Sequence, residues 1–113
     1  MIMIRVDIND PNFKLDDMPT NWGTGVCRYN GELFEGILYE YFPNSTQLSS
    51  EDEYKEGIPD GRQIEYWSNG KLKIEYFEKY DTLYGSFKKW NELGILTSHT
   101  DYDNNGNIIR KIV

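Results

Sequence analysis

The sequence predicts an all-β fold: a meander of antiparallel β-hairpins forming a single-layer, twisted, elongated sheet. Three observations carry that expectation. Aromatic residues make up 15% of the chain, and Tyr, Trp and Phe suit strands better than helix interiors. Ten glycines are spread along it, several in turn-forming pairs such as Asn30-Gly31, Asn69-Gly70 and Asn105-Gly106. A period also recurs: Gly36, Gly61 and Gly85 lie 25 and then 24 residues apart, each followed at the fifth position by Tyr41, Tyr66 or Trp90. With two strands per unit, that period leaves no room for crossover helices, so each hairpin packs mainly on its neighbours.

At 113 residues the chain is expected to form one domain, with a strand and loop cap over 1–24 and hairpin repeats over 25–108. Residues 2–8 alternate, which places Ile2, Ile4, Val6 and Ile8 on one side of a first strand. The polar connection after it carries Pro11 and Pro19, and Phe13, Leu15 and Trp22 are expected to anchor it on the sheet. Asn30-Gly31 opens a hairpin ahead of the first full repeat.

The clearest hairpin spans 57–76. It reads as a glycine-bounded start at Gly57 to Gly61, a strand ending in Tyr66 and Trp67, a type I′ turn at Asn69-Gly70, and a return strand through Leu72, Ile74 and Tyr76. Turns at 44–47, Leu93-Gly94 and Asn105-Gly106 precede Leu48, Leu96 and Ile108 as Asn69-Gly70 precedes Leu72. The acidic or polar stretches 54–61 and 77–85 read as short connections between units.

The pattern G-x-x-x-x-[YW] followed by N-G-x-L, clearest in YNGELFEG at 29–36, EDEYKEGIPDGRQIEYWSNGKLKIEY at 51–76 and NGNI at 105–108, resembles the variant MORN repeat of many bacterial proteins. The third unit departs from it with Leu93-Gly94 in place of Asn-Gly, and the first has Ser45-Thr46-Gln47 there. The resemblance implies a binding protein, often an antitoxin component or an immunity protein of a polymorphic toxin system. The repeat's residues are structural glycines and aromatics, which specify fold more than function.

Charge narrows the partner. Residues 1–60 hold 12 acidic and 4 basic residues and residues 61–113 hold 7 and 8, so the halves carry −8 and +1 of a net charge of −7. That field disfavours nucleic acid and anionic membrane, and steers a basic protein partner. A lone cysteine, Cys27, forms no internal disulfide and is expected to be buried or half-buried. No run approaches the ~20 apolar residues of a membrane helix, so a cytoplasmic location is expected.

Chemistry is sparse. His99 has no nucleophile arranged around it and reads as a strand-surface histidine. The tail from Asp101 to Ile108 mimics the start of a calcium loop, but its twelfth position is Ile112 where a bidentate Glu is required. Neither an enzyme nor a metal or other cofactor is expected.

The best functional candidate is the acidic stretch Glu51, Asp52, Glu53, Glu56 and Asp60, with Tyr54 inside it and Trp67 close behind; acid and aromatics together suit an interface for Arg and Lys. The competing reading is a solvated connector kept soluble by its charge. Tyr39 and Tyr41, on one face with Ile37, are expected to be ladder residues. Two functions remain open at this point: occlusion of a cognate toxin's active or substrate-binding face, and structural or scaffolding assembly through sheet edges.

Overall fold

The computed structural model describes residues 3–16 and 25–113. Every regular element in them is a strand: β1 Arg5–Asp7, β2 Phe13–Asp16, β3 Val26–Tyr29, β4 Glu32–Leu33, β5 Gly36–Tyr41, β6 Leu48–Lys55, β7 Ile58–Tyr66, β8 Leu72–Lys79, β9 Thr82–Trp90, β10 Leu96–Tyr102 and β11 Ile108–Lys111. From β5 to β11 the chain is an uninterrupted antiparallel meander within an open eight-stranded sheet of order β1-β5-β6-β7-β8-β9-β10-β11. The all-β meander expected from the repeat is therefore the fold. No helix among the described residues is long and apolar enough to cross a membrane.

Two details depart from an all-antiparallel single layer. β1 pairs parallel to β5, with Val6 opposite Leu38. A small second sheet, β2-β3-β4, packs near this end and builds the core. Phe34, 1% exposed, sits among Val6, Cys27 and Leu38, with Phe13, Tyr29 and Tyr54 packed around them. Its ring lies 5.6 Å from those of both Phe13 and Tyr54. Burying a side chain of this size contributes about 1.5–3 kcal/mol. Val6 and Phe13 thus anchor as expected, whereas Leu15 is 63% exposed and Ile4 and Ile8 are also exposed. Leu15, two residues on from Phe13 and so on the same face of β2, is left largely uncovered; Trp22 and Ile2 fall outside the described residues.

The turns come in two kinds. At Asn30-Gly31, Glu56-Gly57 and Tyr80-Asp81 both residues have positive φ, between 49° and 84°, and Tyr29↔Glu32, Lys55↔Ile58 and Lys79↔Thr82 pair across them. These are two-residue type I′ turns, whose twist matches the sheet. At Trp67–Lys71 only Gly70 has positive φ. There the Gly70 N–H donates to the Trp67 carbonyl at 2.9 Å and the Trp67 N–H to the Lys71 carbonyl at 2.8 Å. The Asn69-Gly70 turn is therefore a type I turn closed by a left-handed glycine, not type I′. Asn91–Ile95 and Asp103–Asn107 repeat this geometry.

The stretches 54–61 and 77–85 are thus not connectors. Each is two strand segments joined by a type I′ turn, and Gly61 lies within β7 rather than bounding it. Between the pairs Asp52↔Gln63 and Tyr54↔Pro59 three residues of β7 lie against one of β6, and between Glu75↔Lys88 and Phe77↔Tyr84 three of β9 lie against one of β8. The repeat glycines Gly61 and Gly85 occupy these bulges with φ of 101° and 68°, which bend and twist the sheet at each period. The aromatic five positions on pairs across the strand with the repeat's leucine: Tyr41↔Leu48, Tyr66↔Leu72 and Trp90↔Leu96.

Candidate interaction surface

Side chains alternate along a strand and paired residues share a face, so the rows of partners define two surfaces. One row runs Tyr39↔Glu51↔Ile64↔Glu75↔Lys88↔His99. On this face three half-buried carboxylates are matched by cations, while Glu53 forms no ion pair among the described residues. Arg5 pairs with Glu51, Arg62 with Glu75 and Arg110 with Asp101. The Tyr66 hydroxyl donates to Glu51 Oε1 at 2.6 Å, and Arg5 lies 5.1 Å from the centre of the Tyr39 ring. Burial pushes the Glu51 carboxyl up, but the Tyr66 hydroxyl and the Arg5 guanidinium outweigh it and hold it below its usual range. His99 contacts Asp101 through Nε2 at 2.9 Å.

The other face is different. Its row Leu38↔Asp52↔Gln63↔Tyr76 continues to Phe87, stacked on Tyr76 with ring centres 5.0 Å apart. A neighbouring row contains Glu40↔Ser50↔Glu65↔Ile74. Glu40, Phe42, Ser50, Asp52, Glu65 and Tyr76 line a concavity of about 320 Å³, with Lys73 at its border. Among the described residues, Glu40, Asp52, Glu65 and Glu78 form no ion pair.

That imbalance shows in the acidities. Burial pushes Asp52 up to about 6; the Ile64 N–H opposes this, while Glu65, Glu78 and Glu40 add to it. Burial, and then Asp81, raise Glu78 as well. Burial, with Glu78, Asp52 and Glu65, pushes the Tyr76 phenol up to about 12. Around Asp52, over a floor of aromatic rings, carboxylates predominate and none of these four is ion-paired among the described residues, although Lys73 borders the concavity and Lys89 and Lys111 share the face through Ile74 and Thr100. Chemically the concavity is suited to an ammonium or guanidinium group.

The seven residues expected at the interface do not form one patch. Glu51 and Glu53 lie on the ion-paired face and Asp52 on the other. Tyr54 packs on Phe34 in the core, and burial pushes its hydroxyl above its usual range. Glu56 is exposed in the type I′ turn, and Asp60 lies opposite Lys79 in the β7–β8 register. Trp67 lies at the far end of β7, where its indole N–H donates to the Trp90 carbonyl at 3.1 Å and Lys73 covers its ring at 4.7 Å.

Of the seven, only Asp52 belongs to the acidic concavity. The residues that surround it, Glu40, Glu65, Phe42 and Tyr76, were not singled out by the sequence. A signal was present: Glu40 and Glu65 occupy the same repeat position, immediately before Tyr41 and Tyr66, where the third unit has Lys89.

Two further candidates resolve into local structure. Asp103 Oδ1 accepts the N–H groups of Asn105 at 2.8 Å and Asn107 at 3.0 Å, so it caps its own turn. Among the described residues no group of His, Cys, Asp and Glu is placed to hold a metal ion. Cys27 is buried, its thiol pushed up by burial, and its N–H donates to the Gly57 carbonyl at 2.7 Å, tying the small sheet to the β6–β7 turn. Comparison of the chain with protein-family models, with curated proteins and with solved structures gives no match.

Proposed function

We propose that this protein is a cytoplasmic immunity or antitoxin protein that binds a basic face of a cognate toxin and occludes its active or substrate-binding site, as its resemblance to variant MORN-repeat proteins implies. The observation that carries this reading is the contrast between the two faces. Across the same strands, Glu51, Glu75 and Asp101 are ion-paired on one side, while Glu40, Asp52, Glu65 and Glu78 on the other form no ion pair among the described residues. Glu40 and Glu65 are exposed, but Asp52 and Glu78 are half-buried; keeping that pair charged costs stability, and an incoming Lys or Arg offsets the cost on binding. The net charge of −7 accelerates the encounter. Blocking requires no chemistry from this chain, and if the toxin is a nuclease the carboxylates stand in for phosphates.

Co-expression tests this directly. Growth arrested by the toxin encoded beside this chain's gene is expected to recover when this protein is supplied. Continued arrest, with no complex on gel filtration, sinks the reading.

A scaffolding role has its own support in the outermost described strands. Met3, Ile4 and Ile8 flank β1, and Ile108, Ile109, Ile112 and Val113 lie in or beside β11, all exposed. Apolar edges of this kind pair with further strands. Against it, Arg110 and Lys111 on β11 and the register shift beside Ile109 are features that discourage edge pairing.

A further inference from the structure

The β9–β10 turn carries an apolar tip that folding does not require. In the β7–β8 turn, positions two and three are Ser68 and Asn69; the equivalent residues here are Glu92 and Leu93. The backbone is the same in both, with Gly94 at φ 87° and Gly70 at 88°. Asn91 does the capping, its Oδ1 accepting the N–H groups of Leu93 and Ile95 at 3.0 Å each. Leu93 is nevertheless 74% exposed and Ile95 57% exposed. With Leu72 and Trp90, Leu93 borders a second concavity of about 430 Å³.

This apolar end is linked to the acidic concavity by contact: Lys73, which borders the concavity, covers the Trp67 ring, and Trp67 is hydrogen-bonded to Trp90, which lines the apolar one. The β7–β8 and β9–β10 turns are tied together. The Trp67 indole donates to the Trp90 carbonyl at 3.1 Å, the Asn69 side-chain amide to the Glu92 carbonyl at 2.8 Å, and the Lys71 ammonium to the Leu93 carbonyl at 3.2 Å. An apolar centre with a tryptophan behind it and a polar ring around it is the usual anatomy of an interface hot spot.

We propose that Leu93 and Ile95 are the apolar anchor of the partner interface, entering an apolar cleft on the same basic protein whose Lys and Arg side chains occupy the Glu40–Asp52–Glu65 concavity. This rests on the binding function proposed above. The two parts have different work: the carboxylates set the encounter rate and the anchor sets the lifetime of the complex.

The test uses the purified product of the adjacent toxin gene as probe, with surface plasmon resonance against wild type and the double variant Leu93→Asn, Ile95→Thr. Asn at 93 reproduces the residue of the β7–β8 turn, so the thermal midpoint is expected to hold. The dissociation rate is expected to rise about tenfold or more with little change in association rate or salt dependence. A wild-type dissociation rate in the folded double variant overturns the anchor and leaves the binding function standing. Absence of binding by the wild-type protein overturns both.

Discussion

Glu51 and Asp52 are adjacent in β6 and lie on opposite faces of the sheet, one held by Arg5 and the Tyr66 hydroxyl, the other set near Glu40, Glu65 and Glu78 without an ion pair. One peptide bond separates a carboxylate that stabilises the fold from one that costs it. Asp52→Asn keeps the acceptor for the Ile64 N–H and removes the charge. Because the folded-state value for Asp52 is raised to about 6, the protonated form is favoured by folding, and its contribution is lost as pH rises from about 4 through 6. The variant is therefore expected to be more stable than wild type at pH 7, by about 2 kcal/mol, and equal to it near pH 4. Urea unfolding at the two pH values measures this; equal stability at pH 7 contradicts it.

The Tyr66–Glu51 bond has the opposite sign. Glu51 is held below its usual range, so its contribution is present above the unfolded value and is lost as pH falls through the folded one. Tyr66→Phe is expected to cost about 1–2 kcal/mol at pH 7 and less in acid. A thermal midpoint at pH 7 unchanged from wild type would show that the bond contributes nothing.

Gly36 and Gly70 both have positive φ, but what faces them differs. A Cβ on Gly36 would lie 2.5 Å from the Ile4 carbonyl oxygen, whereas on Gly70 it would meet only the Gln47 side-chain tip at 3.0 Å. Ile4 accepts the Ile37 N–H and so sets the β1–β5 pairing. Gly36→Ala is expected to cost about 3 kcal/mol or more, and Gly70→Ala only the ~1 kcal/mol of its backbone strain. Parallel denaturation of the two variants decides it; equal losses would mean that β1 yields freely.

Tyr80-Asp81 forms a type I′ turn with no glycine, at φ of 49° and 61°, and Asp81 also raises Glu78. Asp81→Gly relieves the left-handed backbone and the repulsion together. A gain of about 0.5–1 kcal/mol, a few degrees in Tm, is expected by calorimetry. A lower Tm would show that Asp81 has a stabilising partner.

The sequence made the period legible because the same physical constraint recurs at each copy. Gly61 and Gly85 sit in equivalent bulges, and Tyr41, Tyr66 and Trp90 meet Leu48, Leu72 and Leu96 across the strand. The Tyr80-Asp81 turn was not legible, since Asp tolerates positive φ but Tyr does not favour it, the pair has no glycine, and strand pairing on both sides imposes the conformation. Asn69-Gly70 misled in the other direction: it marks the turn, but the closing glycine alone takes the left-handed conformation. The acidic stretch 51–60 looked like one site because it is contiguous. Alternation along β6 divides it between faces, and pairing to β5, β7 and β8 joins Asp52 to Glu40, Glu65 and Tyr76 instead.

The central claim is that the face carrying the acidic concavity is the binding face. Backbone amide chemical-shift mapping of the isotope-labelled protein, titrated with the unlabelled product of the adjacent toxin gene, tests it most directly. Shifts are expected to concentrate at Glu40, Ser50, Asp52, Glu65 and Tyr76 and to extend to Leu93. Shifts concentrated beyond this surface, at Arg110 and the small sheet, with the concavity silent, would contradict it.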